Sequence, residues 1–168
     1  MTLHELNTLP PSRLKEELSR CCGSPVWVDR MLPYFPADDL VELLEDAEEQ
    51  WYKCSEEDWK EAFKHHPKIG DIESLKKKFA STANWAAGEQ GAVNAASLET
   101  LAALAKGNEE YEKKFGYIFI VCATGKSAAE ILNMLEERLK NDQIDEIEIA
   151  ADEQNKITRL RLEKLVDD

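Results

Sequence analysis

A chain of 168 residues is long enough to bury one hydrophobic core and short for two. With 43% hydrophobic and 33% charged residues it has a globular composition and a heavily charged surface, which excludes disorder along its whole length. A formal net charge of -13 repels phosphate backbones and anionic bilayers, so neither nucleic acid nor a membrane is an expected partner, although a local basic pocket still admits a small anion.

The four cysteines are Cys21, Cys22, Cys54 and Cys122. The adjacent pair suits neither a simple disulfide nor a zinc ligand pair, so free thiols in a reducing compartment are expected. No stretch resembles a signal peptide or reaches transmembrane length, and Val166-Asp167-Asp168 is not a peroxisomal tripeptide, so the expected location is the cytoplasm.

Helical periodicity dominates the chain. Thr2 and Glu5 form a capping-box pattern for a first short helix that Pro10-Pro11 ends. Ser12 is placed to cap a second helix through Leu14 and Leu18 to about Cys21. Gly23 and Pro25 mark a turn, and Val26–Leu32 reads as a short apolar helix stopped by Pro33 and Pro36. Asp38 opens a longer helix whose apolar face takes Leu40, Val41, Leu43, Leu44, Ala47 and Trp51. Ser55, with Asp58 three residues on, caps the next, which buries Trp59, Ala62 and Phe63 and runs into His65-His66, where Pro67 ends it. Asp71–Phe79 fits another short helix.

Residues 80–97 are rich in Ala, Gly and Asn and carry little periodicity. Ser97 then caps a helix through Leu98, Leu101 and Leu104 towards Phe115; Gly107 interrupts it and Gly116 closes it in the left-handed conformation. Tyr117–Ala123 is a continuous apolar run that fits either a buried extended segment or a helical turn. Ser127 starts a helix carrying Ile131, Leu132, Leu135 and Leu139, and a last helix covers about residues 143–166. The expected fold is a single all-α, bundle-like domain over residues 1–168, with roughly seven to nine helices and a short extended segment near 117–123.

Five features are candidates for chemistry. His66 lies at a helix C-terminus, where the macrodipole favours an imidazolium, and Pro67 fixes its backbone; that suits a general acid or base, the plain alternative being a polar capping residue. Neighbouring helical residues point about 100° apart, so His65 and His66 make a poor metal pair, and no metal is expected. Thr124-Gly125-Lys126-Ser127 resembles the end of a phosphate loop, but Ile120 occupies the position of the first glycine, so a glycine turn with Ser127 as cap is the reading. Glu89-Gln90, in Ala86-Ala87-Gly88-Glu89-Gln90-Gly91, places a carboxylate among small residues, either at a ligand or in a solvated loop. Arg161 follows Ile157 by one helical turn, beside an apolar face marked by Ile157 and Leu160, and suits either a ligand carboxylate or a salt bridge.

In sequence order these pieces resemble the 2-oxo-4-hydroxy-4-carboxy-5-ureidoimidazoline (OHCU) decarboxylases. The matching runs include Cys21-Cys22-Gly23-Ser24 with Trp27, Asp58-Trp59 with Ala62-Phe63, and His66-Pro67-Lys68-Ile69-Gly70-Asp71. Glu89-Gln90, Asn108, Tyr111, Lys114-Phe115-Gly116-Tyr117-Ile118-Phe119 and Gly125-Lys126-Ser127 follow, and the tail matches at Glu153-Gln154, Lys156-Ile157 and Arg161-Leu162.

The resemblance implies an all-helical homodimer without metal or organic cofactor that decarboxylates OHCU to (S)-allantoin in urate catabolism. It implies His66 as proton donor or acceptor, Glu89 as the substrate-orienting carboxylate and Arg161 as the carboxylate anchor. Contacts to the ureide ring would come from Pro67, from Ala86, Ala87, Gly88 and Gln90, and from the backbone of Phe119, Ile120, Val121, Cys122 and Ala123. Many members carry serine where this chain has Ala86, and that departure leans towards the rival reading, a non-enzymatic helical ligand-binding or interaction module on the same scaffold.

Overall fold

The fold is taken from a computed structural model that describes residues 1–67 and 90–166, the side chains of residues 90–97 excepted. Among the described residues there are eight α-helices, one 3-10 turn and no strand, so the all-α expectation holds. The chain divides into two compact units, Met1–His66 with Ile147–Asp168, and Pro67–Glu146. The expected helix at Asp71–Phe79 lies outside the described residues.

The first unit opens with α1 (Leu3–Asn7), which carries the expected capping box: Thr2 accepts from the Glu5 N–H and Glu5 reaches back to the Thr2 N–H. The Asn7 amide then exchanges two 2.9 Å hydrogen bonds with the backbone of Ala37. The second helix, α2 (Pro11–Cys21), begins two residues earlier than Ser12 capping requires. Pro10 is its cap residue and Pro11 its first helical residue, where a missing N–H breaks no bond and the fixed φ is already helical.

Ser24 caps α3 (Pro25–Met31), and a 3-10 turn follows at Leu32–Tyr34. The cap of α4 (Leu40–Tyr52) is Asp39, not Asp38: its carboxylate accepts from the Glu42 N–H at 2.8 Å. The buried face of α4 is Leu43, Leu44, Ala47, Gln50 and Trp51. Val41 is 65% exposed, because at about 100° per residue it falls nearly opposite Leu43. The fifth helix, α5 (Glu56–Lys64), is built on the expected Ser55–Asp58 capping box and buries Ala62 and Phe63.

Three indoles tie this unit together. Trp27 Nε1 donates to the Ala47 carbonyl at 3.0 Å, Trp51 to Ala151 at 2.9 Å and Trp59 to Trp51 at 2.9 Å. Each ring thus buries a large apolar surface while its one polar atom is satisfied. The remaining wall comes from α8 (Gln143–Leu165), whose residues from Ile147 onward belong here. Its buried stripe runs Ile147, Ala150, Ala151, Gln154, Thr158, Leu162. The sequence reading through Ile157 and Leu160 is therefore rotated from the true face; both are only half-buried.

In the second unit α6 (Gln90–Phe115) packs on α7 (Ala128–Leu139). Ser97 lies inside α6 rather than capping it, because an Ala-rich stretch propagates a helix on propensity alone, without amphipathic periodicity. Gly107 is where the two helices close: a Cβ there would stand 2.6 Å from Leu135 Cδ2. Gly116 ends α6 at φ +83°, as expected. Ser127 and Glu130 form the capping box of α7, so Gly125, at φ +76°, is a turn glycine and not part of a phosphate cradle.

Candidate active site

His66 gets its position from α5. The helix ends at Lys64, and the chain continues in the same turn, the His65 N–H donating to Ala62 O at 3.1 Å and the His66 N–H to Phe63 O at 3.3 Å. Pro67 follows at once. The half-buried His66 imidazole meets the side chain of Gln154 in α8, Nε2 against Oε1.

Gln154 is fully buried, and its Nε2 donates to Thr158 Oγ1 at 3.1 Å, one turn further along the helix. The Thr158 hydroxyl and the Ser24 N–H are the neighbours that favour a charged sulfur at Cys22. Burial outweighs them and pushes the Cys22 thiol up to about 12, so it is a neutral, unreactive group. Gly23, between these residues, lies against the ring root of His65: a Cβ there would come within 2.6 Å of Cγ and Cδ2. The run Cys22-Gly23-Ser24 is thus the floor beneath the His65–His66 turn.

Arg161 lies on α8, half-buried, and its Nη1 donates to the carbonyls of Arg20 and Cys21 at 3.4 Å each. These belong to the last turn of α2, where carbonyls lack helical partners. Among the described residues the guanidinium therefore meets backbone rather than a carboxylate. Both bonds are long, and a planar fork held this loosely keeps donor capacity for an anion.

Tyr117–Ala123 is neither helix nor strand, so the helical-turn alternative falls away. It is held from beneath by Arg138, 5% exposed, which donates through Nη1 to the Ile120 carbonyl and stacks its guanidinium 4.5 Å from the Phe119 ring centroid. Arg138 in turn pairs with the fully buried Glu146 carboxylate, Nη2 to Oε2 at 2.6 Å and Nε to Oε2 at 3.0 Å. Tyr111 OH and Asn141 Nδ2 also donate to Glu146. Burial, more than any neighbouring charge, raises the Tyr111 phenol far above its ordinary value, so it remains a donor at any working pH. The carbonyls of Cys122 and Ala123 accept from Lys126 Nζ and N at 3.1 and 3.0 Å, so the expected row of ligand-facing carbonyls is partly engaged within the chain. A carbonyl keeps a second lone pair, and an irregular segment commits no N–H to a helix or ladder.

Ala86, Ala87, Gly88 and Glu89 lie outside the described residues, as does the side chain of Gln90, the first residue of α6. Sequence reasoning missed Gln154, Thr158 and Arg138 as site-building groups. Their signal was present: each is a polar residue at helical spacing within an otherwise apolar buried stripe. Among the described residues no three His, Cys, Asp or Glu side chains gather as a metal ion requires, and no helix is long and apolar enough to cross a membrane.

Comparison with known proteins bears on the whole chain. The uric acid degradation bifunctional protein TTL of Arabidopsis thaliana is 40% identical over 157 residues, a match covering 92% of this chain and 48% of that protein. The chain thus spans about half the length of that relative. An OHCU decarboxylase of Haloferax volcanii is 25% identical over 166 residues, covering 96% of this chain and 94% of that one. A crystal structure of OHCU decarboxylase in the presence of (S)-allantoin superposes with a TM-score of 0.74 at 39% identity, covering 91% of this chain and 99% of that chain. The sequence profile of the OHCU decarboxylase family matches residues 7–163, and the chain belongs to that family.

Proposed function

We propose that this chain decarboxylates 2-oxo-4-hydroxy-4-carboxy-5-ureidoimidazoline to (S)-allantoin in urate breakdown, with His66 moving the proton. The observation that carries the reading is the placement of His66: an imidazole pinned between a proline and a buried amide, in a chain matched almost end to end by the decarboxylase family. The curated relatives support the same reaction class.

The chemistry explains why two or three side chains suffice. As carbon dioxide leaves, the electron pair of the broken carbon–carbon bond flows into the adjacent carbon–nitrogen unsaturation of the ring. The substrate is its own electron sink. The protein has only to bind the carboxylate, turn it out of conjugation and deliver one proton to one face. In this reading Arg161 binds the carboxylate, Glu89 holds a ring hydroxyl or N–H, and His66 protonates the carbon. Backbone amides of residues 86–90 and of the Tyr117–Ala123 segment hold the ureide. A homodimer working in the cytoplasm completes the proposal.

OHCU also decays unaided to racemic product, so handedness is the sharper readout. Circular dichroism of allantoin formed from freshly generated OHCU is expected to show the S form with the protein present. His66→Asn is expected to lose about 10²–10⁴ in rate, the usual worth of positioned acid–base help, with its fold unchanged. Racemic product in the presence of protein, or full stereoselective turnover by His66→Asn, would end this reading; tight allantoin binding without turnover would favour the binding module.

A further inference from the structure

The polar residues beneath His66 form a chain in which the Gln154 amide lies between the imidazole and Thr158. The Thr158 hydroxyl oxygen accepts from Gln154 Nε2 at 3.1 Å. The Gln154 amide thus turns its NH₂ to Thr158. That leaves Oε1, an atom that only accepts, facing Nε2 of His66. An imidazole nitrogen opposite such an atom must carry hydrogen. Gln154 and Thr158 are 0% and 4% exposed, so water does not readily turn the amide round.

We propose that Gln154 is a positioning residue that holds the hydrogen of His66 on Nε2, so that the proton His66 gains and gives up in catalysis is carried by Nδ1. Thr158 acts through it by accepting from the amide NH₂ and so fixing which way the amide faces. The amide oxygen accepts from Nε2–H whether the ring is neutral or charged, so the ring keeps its orientation while Nδ1–H hands its proton to the carbon of the former carbon–nitrogen double bond, which becomes the stereocentre, and is left with the electron pair of that N–H bond. This assignment of atoms goes beyond naming the histidine. Its catalytic half rests on the decarboxylase reading; its tautomeric half does not.

The two halves are tested separately. Nitrogen-15 spectra of histidine-labelled protein, with His66 assigned by its loss in His66→Asn, are expected to show Nε2 as the protonated nitrogen of the neutral ring, with a slowly exchanging proton. In Gln154→Leu that proton is expected to exchange too fast to see. The kcat should fall about tenfold to a hundredfold, as for loss of a partner that orients a reacting imidazole, with KM changed far less. Thr158→Val should show the same pattern more weakly, and Thr158→Ser should restore it. A neutral His66 protonated on Nδ1 in the unaltered protein overturns the inference without any variant having to fold. So does a Gln154→Leu protein with native melting, an unchanged His66 spectrum and full kcat. If His66→Asn proves fully active, the decarboxylase role of His66 falls, while the spectra still decide who holds its proton.

Discussion

At the scale of single residues, the smallest side chain near the candidate site is the most constrained. A methyl group on Gly23 would lie 2.6 Å from His65 Cγ and 2.7 Å from His65 Cβ, atoms too close to the backbone to swing aside. Overpacking of this kind costs about 1–3 kcal/mol. The strain would fall on the residue directly before His66, so Gly23→Ala is expected to lower kcat by more than its loss of stability explains. Melting curves and steady-state kinetics on the same preparation check this; an unaltered kcat would mean that the floor does not position the imidazole. The neighbouring thiols give a second expectation. Burial pushes Cys21 and Cys22 up to about 12 and Cys54 up to about 11, so at pH 8 the thiolate fraction of each is at most about one in a thousand, and all three are buried. Iodoacetamide should leave these three unlabelled in the native protein and modify them after denaturation, as read by peptide mass spectrometry. Native labelling of Cys22 would mean that the segment under His66 opens. In the sequence His66 could be singled out because Pro67 and a helix end are local facts. Gln154 shows in the sequence only as a polar residue at helical spacing in an apolar stripe; what makes it part of the site is a contact 88 residues away along the chain.

At the scale of elements, what was legible followed how local the cause was. The capping boxes at Thr2, Ser55 and Ser127 and the glycine stop at Gly116 depend on residues within one turn, and each was readable directly. The start of α6 was not, since its Ala-rich first turns are helical by propensity and carry no periodic stripe. The buried face of α8 was misjudged because it contains Gln154 and Thr158, which hydrophobic periodicity scores as surface. Arg138 and Glu146 escaped notice for the same reason, and they carry the clearest energetic prediction. Their carboxylate–guanidinium pair is satisfied on every side, by Tyr111, Asn141 and the Ile120 carbonyl. Removing one partner strands a buried charge, which costs about 3–5 kcal/mol, whereas removing both removes the charge problem as well. Arg138→Met is therefore expected to destabilise strongly, and adding Glu146→Gln to recover part of that loss. A double-mutant cycle in urea measures the coupling; simple additivity of the two changes would show that the pair is not what holds Tyr117–Ala123.

At the scale of the whole molecule, the net charge of -13 sets how stability responds to the solvent. The repulsion has identifiable local expressions on α4. Asp38 most of all, then slight burial and Asp46 and Asp39, holds the Glu42 carboxyl above its usual range; burial, then Glu49 and Glu45, does the same for Asp46. A carboxyl raised in the native state binds its proton more tightly there than in the unfolded chain. Its favourable contribution is complete below the ordinary carboxylate range and is lost as pH rises through the raised native value. On the acid side of neutrality these two groups therefore favour the folded chain increasingly as pH falls. Mobile ions act on the same repulsion, because at about 0.15 M salt the screening length is about 8 Å, comparable to the spacing of carboxylates along a helix face. The melting temperature at low ionic strength is thus expected to rise by a few degrees between pH 7 and about pH 5.5, and to rise similarly at pH 7 on adding sodium chloride. The two gains should not add, since both relieve one repulsion. Calorimetry over a grid of pH and salt tests this. A melting temperature that fell with salt would mean that surface ion pairs such as Lys53–Glu49 and Lys113–Glu109 outweigh the excess of negative charge, reversing the balance argued for the molecule as a whole.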